Sequence, residues 1–167
     1  MRTPASIAGH PLHPMLIVFP VALFIFSLVC DLASLRSAQP DTWAIVSLYS
    51  MVGGFVGALA AAIPGLIDYS SLESRRVKHT ATIHMSINLI VVALYAVNIW
   101  LRAHGSGPAG LPLGLSVICV AALAVSGWLG GHMVHVMGVS VASAPEPGEA
   151  PATERARAQP AATPVRH

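Results

Sequence analysis

The chain has 167 residues, of which 54% are hydrophobic and only 10% are charged, and its formal net charge is +2. Soluble domains carry about a quarter charged residues, so this composition is not that of an ordinary soluble protein. Disordered and nucleic-acid-binding chains need far more charge, so neither class fits and no nucleic-acid partner is expected. The composition indicates an integral membrane protein in contact with the lipid bilayer.

Four apolar segments are long enough to cross a bilayer core of about 30 Å, which takes about 20 helical residues. They span residues 14–35, 42–67, 80–101 and 111–137. Because the connections are short, each helix is expected to pack antiparallel to the one before it. We therefore predict an all-α polytopic fold, an antiparallel four-transmembrane-helix bundle in residues 1–141, followed by a disordered Ala/Pro-rich tail in residues 142–167.

The first apolar segment follows a polar His/Pro stretch and ends without a small-x-small cleavage site, so we expect it to be retained and not removed as a signal peptide. The two cysteines, Cys30 and Cys119, both lie in apolar runs and are expected to be small buried hydrophobes without a disulfide.

Small residues and prolines predict how the helices pack. Gly53, Gly57 and Ala61 recur every four residues in the second helix, and Gly127 and Gly131 repeat the pattern in the fourth, so close helix contacts are expected at both. Pro20 and Pro64 are expected to kink their helices and to free one carbonyl each.

Basic residues predict the orientation in the membrane. Four crossings place both termini on one face with Arg2, Arg75, Arg76 and Lys78, whereas Arg36 and Arg102 fall on the other. Cytoplasmic loops carry the excess of Lys and Arg. We expect a multi-pass protein of the cell inner membrane with both termini in the cytoplasm.

Most of the histidines are predicted to lie at the membrane face that holds the termini. This group comprises His10, His13, His79, His84, His132 and His135, joined by Asp68. On the third helix His84, Asn88 and Tyr95 share one face, and a single polar stripe on an apolar helix normally turns inward. His10 and His13 each precede a proline, which predicts extended backbone for both. His79 is expected to face water.

Such a cluster suggests a bound cofactor, because imidazole is the commonest metal ligand in proteins. A b-type haem needs two inward-facing histidines on different helices, and His84 and His132 fit this role, with His13 in reserve. A zinc, iron or copper ion would instead gather three or four of His10, His13, Asp68, His84 and His132. Asn88 or Asp68 would fix a ring nitrogen, with Tyr95 on the same helix face in support.

Two other functions stay open. The histidines can simply bond headgroups, water or helix ends in a structural or interaction module. A metal-ion or proton pathway would need polar groups in the opposite half, where the sequence offers chiefly Tyr49, Asn98 and Asp31. No paired carboxylates, Gly-x-Ser-x-Gly elbow or His-Glu-x-x-His motif occurs, so catalysis by side chains alone is not expected.

Several short motifs occur together in a fixed order. They are Gly9-His10-Pro11-Leu12-His13-Pro14-Met15-Leu16, Phe19-Pro20, Gly65-Leu66-Ile67-Asp68-Tyr69, His84-Met85-Ser86-Ile87-Asn88, Gly130-Gly131-His132 and Gly138-Val139-Ser140-Val141. Over residues 9–141 the chain resembles the bacterial membrane-protein family catalogued as domain of unknown function 2231.

The resemblance implies a four-helix inner-membrane module whose polar positions correspond to His10, His13, Asp68, His84, Asn88 and His132. Some members of that family join this module to Rieske-type or cytochrome-type domains, which favours electron transfer over ion transport. This chain departs from the pattern in having His135 where an aromatic residue is expected, and we expect it to work without a fused redox domain. If it is a redox module, we expect its electron partner to be a separate protein, and a homo-oligomer stays open.

Overall fold

The computed structural model describes residues 4–139, so the predicted tail, residues 142–167, lies outside the described residues. Four helical segments are long and apolar enough to cross a membrane, which confirms the predicted fold class. The elements in chain order are β1 (Ser6–Ile7), β2 (His10–Pro11), α1 (Leu12–Leu16), α2 (Val18–Ser34), α3 (Pro40–Ser70), α4 (Arg75–Ala103) and α5 (Leu111–His135). The first span consists of α1 and α2 together.

Helices α3 and α4 extend further at both ends than the apolar runs that predict them. The second connection is only residues 71–74, and Asp68 and His79, expected in a loop, are both helical. Arg102 is likewise helical and buried. A helix does not end where the lipid ends, because its backbone hydrogen bonds are as well made at the headgroup level as in the hydrocarbon.

The segment before the first span folds back on itself as a two-residue ribbon. Ser6 pairs with Pro11 and Ile7 with His10, around a turn in which Gly9 has a φ of +81°. His10 is extended, as predicted, but the same prediction for His13 is wrong. His13 is helical because Pro14 follows it in the first turn of α1, where a missing N–H leaves no helical hydrogen bond unmade.

The two prolines behave differently. Pro64 lies inside α3, as predicted. Pro20 lies in the first turn of α2, because the first span is interrupted at Ile17, between α1 and α2. The interruption therefore precedes Pro20, whose missing N–H leaves the Leu16 carbonyl without its usual helical donor.

Helix α3 packs closely on α2 through its small residues, which confirms that prediction. A Cβ at Gly54 would lie 2.8 Å from the Phe24 ring, and one at Gly57 would lie 3.4 Å from Pro20. The matching prediction for α5 is wrong within residues 4–139, because no described atom lies within 4 Å of a Cβ built at Gly127 or Gly131.

In the bundle, α2 and α4 each pack against both α3 and α5, so α2 and α4 lie diagonally opposite each other. Inward side chains of all four spans meet at the centre in a cluster of buried residues: Phe24, Met51, Val91, Tyr95 and Cys119. Cys30 and Cys119 are buried free thiols, as expected.

Candidate functional site: a histidine pair and a buried ion pair

His13 is fixed against the backbone of α3. Its Nδ1–H donates to the Ala61 carbonyl at 2.8 Å, since a carbonyl oxygen can only accept. Four residues further along α3, a Cβ at Gly65 would lie 2.7 Å from that same Nδ1. The imidazole reaches the Ala61 carbonyl because residue 65 has no side chain.

His84 repeats this arrangement on the other side of the bundle. Its Nδ1–H donates to the Ser126 carbonyl of α5 at 2.8 Å, with the Ser126 hydroxyl oxygen 2.9 Å away. Again a glycine stands four residues after the acceptor, and a Cβ at Gly130 would lie 3.3 Å from the ring. The prediction that His84 turns into the bundle is confirmed by these contacts.

The rings of His13 and His84 lie edge to face across the interior. The ring centres of His13 and His84 lie 6.4 Å apart, with the planes at 86°. Because each Nδ1 carries the proton that it donates to a carbonyl, each neutral ring has its lone pair on Nε2. The pair therefore presents two Nε2 atoms held from behind by backbone hydrogen bonds.

Asn88 lies one helical turn from His84, and three hydrogen-bond acceptors lie close to its side-chain amide nitrogen. The Asn88 Nδ2 lies 3.1 Å from His84 Nε2, 2.9 Å from the His84 carbonyl and 2.8 Å from the Ser126 hydroxyl oxygen. An amide nitrogen has two hydrogens for these three acceptors. His84 Nε2 can therefore exchange this contact for another partner without leaving an Asn88 hydrogen unpaired.

The other residues expected in the cluster lie elsewhere. His10 is exposed, and its ring donates to the Ala8 carbonyl at 3.1 Å. Asp68 accepts the Ala5 N–H at 2.9 Å and so fastens the ribbon to the end of α3. Within residues 4–139, no group of three or more His, Cys, Asp or Glu side chains is placed to hold a metal ion. The predicted five-residue metal set is not assembled in that part of the chain.

His132 lines an open cleft of about 720 Å³ at the ends of α4 and α5 and is not part of the His13–His84 pair. The cleft is lined by Arg75, Arg76, His79, Thr80, Leu129, His132 and Met137. His79 is exposed there, as predicted.

Tyr95 points inward, as the polar stripe predicts, but its ring lies well below His84. It stacks on Phe24 with ring centres 3.8 Å apart and planes at 5°. Its buried hydroxyl has no hydrogen-bond partner among the described residues. Eleven residues of helix separate it from His84, about 16 Å along the axis, so it does not support that ring directly.

The strongest polar interaction was missed by the sequence analysis. Asp31 of α2 and Arg102 of α4 form a bidentate ion pair, with both N···O distances 2.7 Å, and both residues are buried. Arg102 Nε also donates to the Asn98 side-chain oxygen at 3.0 Å. Three serines complete this buried polar network: Ser27, Ser47 and Ser116.

The pairs that join the first and third spans share one spacing. His13 and His84, Phe24 and Tyr95, and Asp31 and Arg102 are each 71 residues apart. Both spans cross in the same direction, so positions of equal offset meet at equal depth. Offsets of 11 and 18 residues return to almost the same face of a helix with 3.6 residues per turn, which is why all three pairs fall on one seam.

Four antiparallel apolar helices with two polar groups in their interior define a polytopic membrane protein. The chain belongs to the family of predicted membrane proteins catalogued as domain of unknown function 2231, whose profile matches residues 9–143. This confirms the resemblance carried by the His/Pro and glycine motifs. Comparisons with curated proteins and with solved structures found no match.

Proposed function

We propose that this protein is a redox module of the cell inner membrane that holds one b-type haem between His13 and His84. The observation that supports this proposal is the facing pair of imidazoles, 6.4 Å apart, each tied through Nδ1 to a backbone carbonyl. A hydrogen bond from the far ring nitrogen is the usual way in which a ligating histidine is oriented and made more basic.

The spacing of the rings suits two ligands on opposite sides of one metal. Metal–nitrogen bonds of about 2.0–2.1 Å place two such imidazole centres about 6 Å apart. A haem takes only two ligands from the protein, since the porphyrin supplies the other four. A bare metal ion would need three or four protein ligands, and no such set is present among residues 4–139.

The chain's own residues would hold and insulate the group. The Ala61 and Ser126 carbonyls fix the two rings, and Asn88 keeps its two amide hydrogens paired when His84 Nε2 turns to a ligand. Haem supplies one-electron transfer, and the apolar spans exclude water from it. The His13–His84 pair thus takes the role that the sequence analysis gave to His84 and His132.

The orientation follows from the basic residues. Arg102 is neutralised inside the bundle by Asp31, which leaves Arg36 as the one basic residue of the earlier count on the face opposite the termini. Arg75, Arg76 and Lys78 lie at the start of α4 on the terminal face, and the sequence count adds Arg2. By the positive-inside rule, this distribution supports an orientation with both termini and the His13–His84 end toward the cytoplasm, where a separate redox protein would exchange electrons with the module.

A continuous proton or ion pathway is less well supported by the same geometry. The Phe24–Tyr95 stack fills the centre of the bundle between the histidine pair and the Asp31–Arg102 network. The two polar groups are thereby separated by buried aromatic rings.

An absorption spectrum tests the proposal. The full-length protein is expressed with haem precursors, purified in detergent and titrated with haemin, and its reduced and oxidised spectra are recorded. We expect a six-coordinate low-spin b-type spectrum with one haem per chain. His13→Ala and His84→Ala should each lose most of the bound haem, whereas His132→Ala and His104→Ala should retain it.

Two results would contradict the proposal. If the wild-type protein binds no haemin, the haem proposal fails and a structural or interaction module is the remaining interpretation. Loss of haem in His132→Ala, with retention in His13→Ala, would overturn the pairing of His13 with His84. Unfolding temperatures of all four variants identify any that lose haem through misfolding.

A further inference from the structure

A basic cleft lies at the membrane interface, where the start of α4 meets the end of α5. Its volume is about 720 Å³, and its lining combines Arg75, Arg76, His79 and His132 with Thr80, Leu129 and Met137. Neither the histidine pair nor the buried ion pair extends into it. The cleft is thus a separate site.

The two arginines of the cleft have no salt-bridge partner among the described residues. Within residues 4–139 the only ion pair joins Asp31 and Arg102, so neither Arg75 nor Arg76 has a carboxylate partner there, and both are exposed. Lys78 does not add to the cleft, because its Nζ lies over the Tyr69 ring at 5.5 Å. Two arginines and two histidines therefore line one space, and their side chains carry the donors that suit a phosphate group.

Below the charged rim the surface becomes apolar. Ile83 lies one turn deeper than His79 on α4, and Val125 lies one turn deeper than Leu129 on α5. Both are exposed at the outer surface of the bundle, 43% and 55% respectively. A molecule with a phosphate at the rim would find a hydrocarbon-compatible surface directly beneath it.

We infer that this cleft binds the headgroup phosphate of an anionic phospholipid, with the acyl chains along the Ile83 and Val125 surface. Basic pockets between transmembrane helices on the cytoplasmic side are typical sites for anionic headgroups. The bidentate fork of arginine recognises phosphate oxygens, and the apolar surface beneath favours a lipid over a free ion. The site is independent of whether haem is bound.

Native mass spectrometry of the full-length protein in detergent tests this inference. The protein is titrated with palmitoyl-oleoyl phosphatidylglycerol and, separately, with phosphatidylcholine of the same chains. We expect the double variant Arg75→Gln/Arg76→Gln to bind phosphatidylglycerol about thirtyfold more weakly than wild type, from the usual contribution of a basic residue at a membrane surface. Binding of phosphatidylcholine should be weak in both proteins.

The matched control is Arg36→Gln/Lys78→Gln, which removes the same charge from outside the cleft. It should weaken phosphatidylglycerol binding by less than about threefold, since exposed charges beyond the site are screened. Equal losses in the two double variants, or no loss in either, would overturn the inference. Displacement of the lipid by millimolar inorganic phosphate would show a site for free phosphate and would also overturn it. Unchanged unfolding temperatures without lipid show that both variants are folded.

Discussion

At the level of single residues, two glycines decide where the histidine rings lie. His13 and His84 each donate to a carbonyl four residues before a glycine, and in both cases a methyl group on that glycine would press on the ring. The contact is closer at Gly65, 2.7 Å, than at Gly130, 3.3 Å. The glycines therefore act on the site without offering any chemical group of their own.

We expect Gly65→Ala to lower stability more than Gly130→Ala, because the added methyl must displace His13 from the Ala61 carbonyl. Overpacking of this kind costs about 1–3 kcal/mol of folding free energy. The test is the decrease in unfolding temperature in detergent. Gly131→Ala is the control, since its Cβ would meet no atom of the described residues within 4 Å. It should be neutral or stabilising by up to about 1 kcal/mol, the helix-propensity difference. Equal effects at Gly65 and Gly131 would show that the ring contact is unimportant.

Only part of this arrangement is predictable from sequence. The inward direction of His84 follows from its stripe with Asn88 and Tyr95, because periodicity within one helix is a local property. The choice of His13 over His132 as its neighbour is not local. It depends on which helices lie diagonally and on the break at Ile17, which sets where α1 places the His13 ring.

At the level of helices, the seam between α2 and α4 is the organising feature. A polar pair, an aromatic stack and an ion pair follow one another along it at the same 71-residue spacing. Asp31 and Asn98 stand out in the sequence as polar residues, but Arg102 was expected at the membrane face opposite the termini, because a basic residue at the end of an apolar run usually marks the membrane surface. The repeated spacing was the signal that could have paired Asp31 with Arg102.

The buried Asp31–Arg102 pair predicts how single and double variants differ in stability. Arg102→Gln alone leaves a buried carboxylate without its partner and should cost about 3–5 kcal/mol, and Asp31→Asn alone should be similarly severe. The double variant Asp31→Asn/Arg102→Gln removes both charges and should recover most of the loss. Thermal unfolding in detergent measures all three, with Arg36→Gln, an exposed arginine, as the reference. A double variant as unstable as the sum of the single ones would mean that the pair is not coupled.

At the level of the whole molecule, the number of helices and their antiparallel order were predictable, because length and hydropathy alone fix them in a bilayer. The bounds were not, since α3 and α4 continue through charged segments that the apolar runs exclude. The prediction that α5 packs through Gly127 and Gly131 was also wrong. Residue spacing identifies a ridge of small residues, but it does not tell whether another of the described helices covers that ridge.

The orientation can be checked with single cysteines, because Cys30 and Cys119 are buried and should not react. Ser71→Cys lies in the connection between α3 and α4, and Ser106→Cys lies in the one between α4 and α5; both positions are exposed. A membrane-impermeant maleimide added to spheroplasts with an intact inner membrane should react with the Ser106→Cys variant and not with the Ser71→Cys variant. Labelling reversed between the two positions would place the termini outside the cytoplasm.

The ion pair also has a consequence for biosynthesis. Asp31 enters the bilayer with the first helical hairpin, and its guanidinium partner is translated 71 residues later. A lone acidic side chain costs about 2.5–3.5 kcal/mol at the centre of a membrane helix on the insertion scale, and less near a helix end such as the one where Asp31 lies. Asp31 in the newly made first hairpin thus lacks its partner Arg102 until the second hairpin leaves the translocon. We therefore expect the two halves to complete their insertion as a unit.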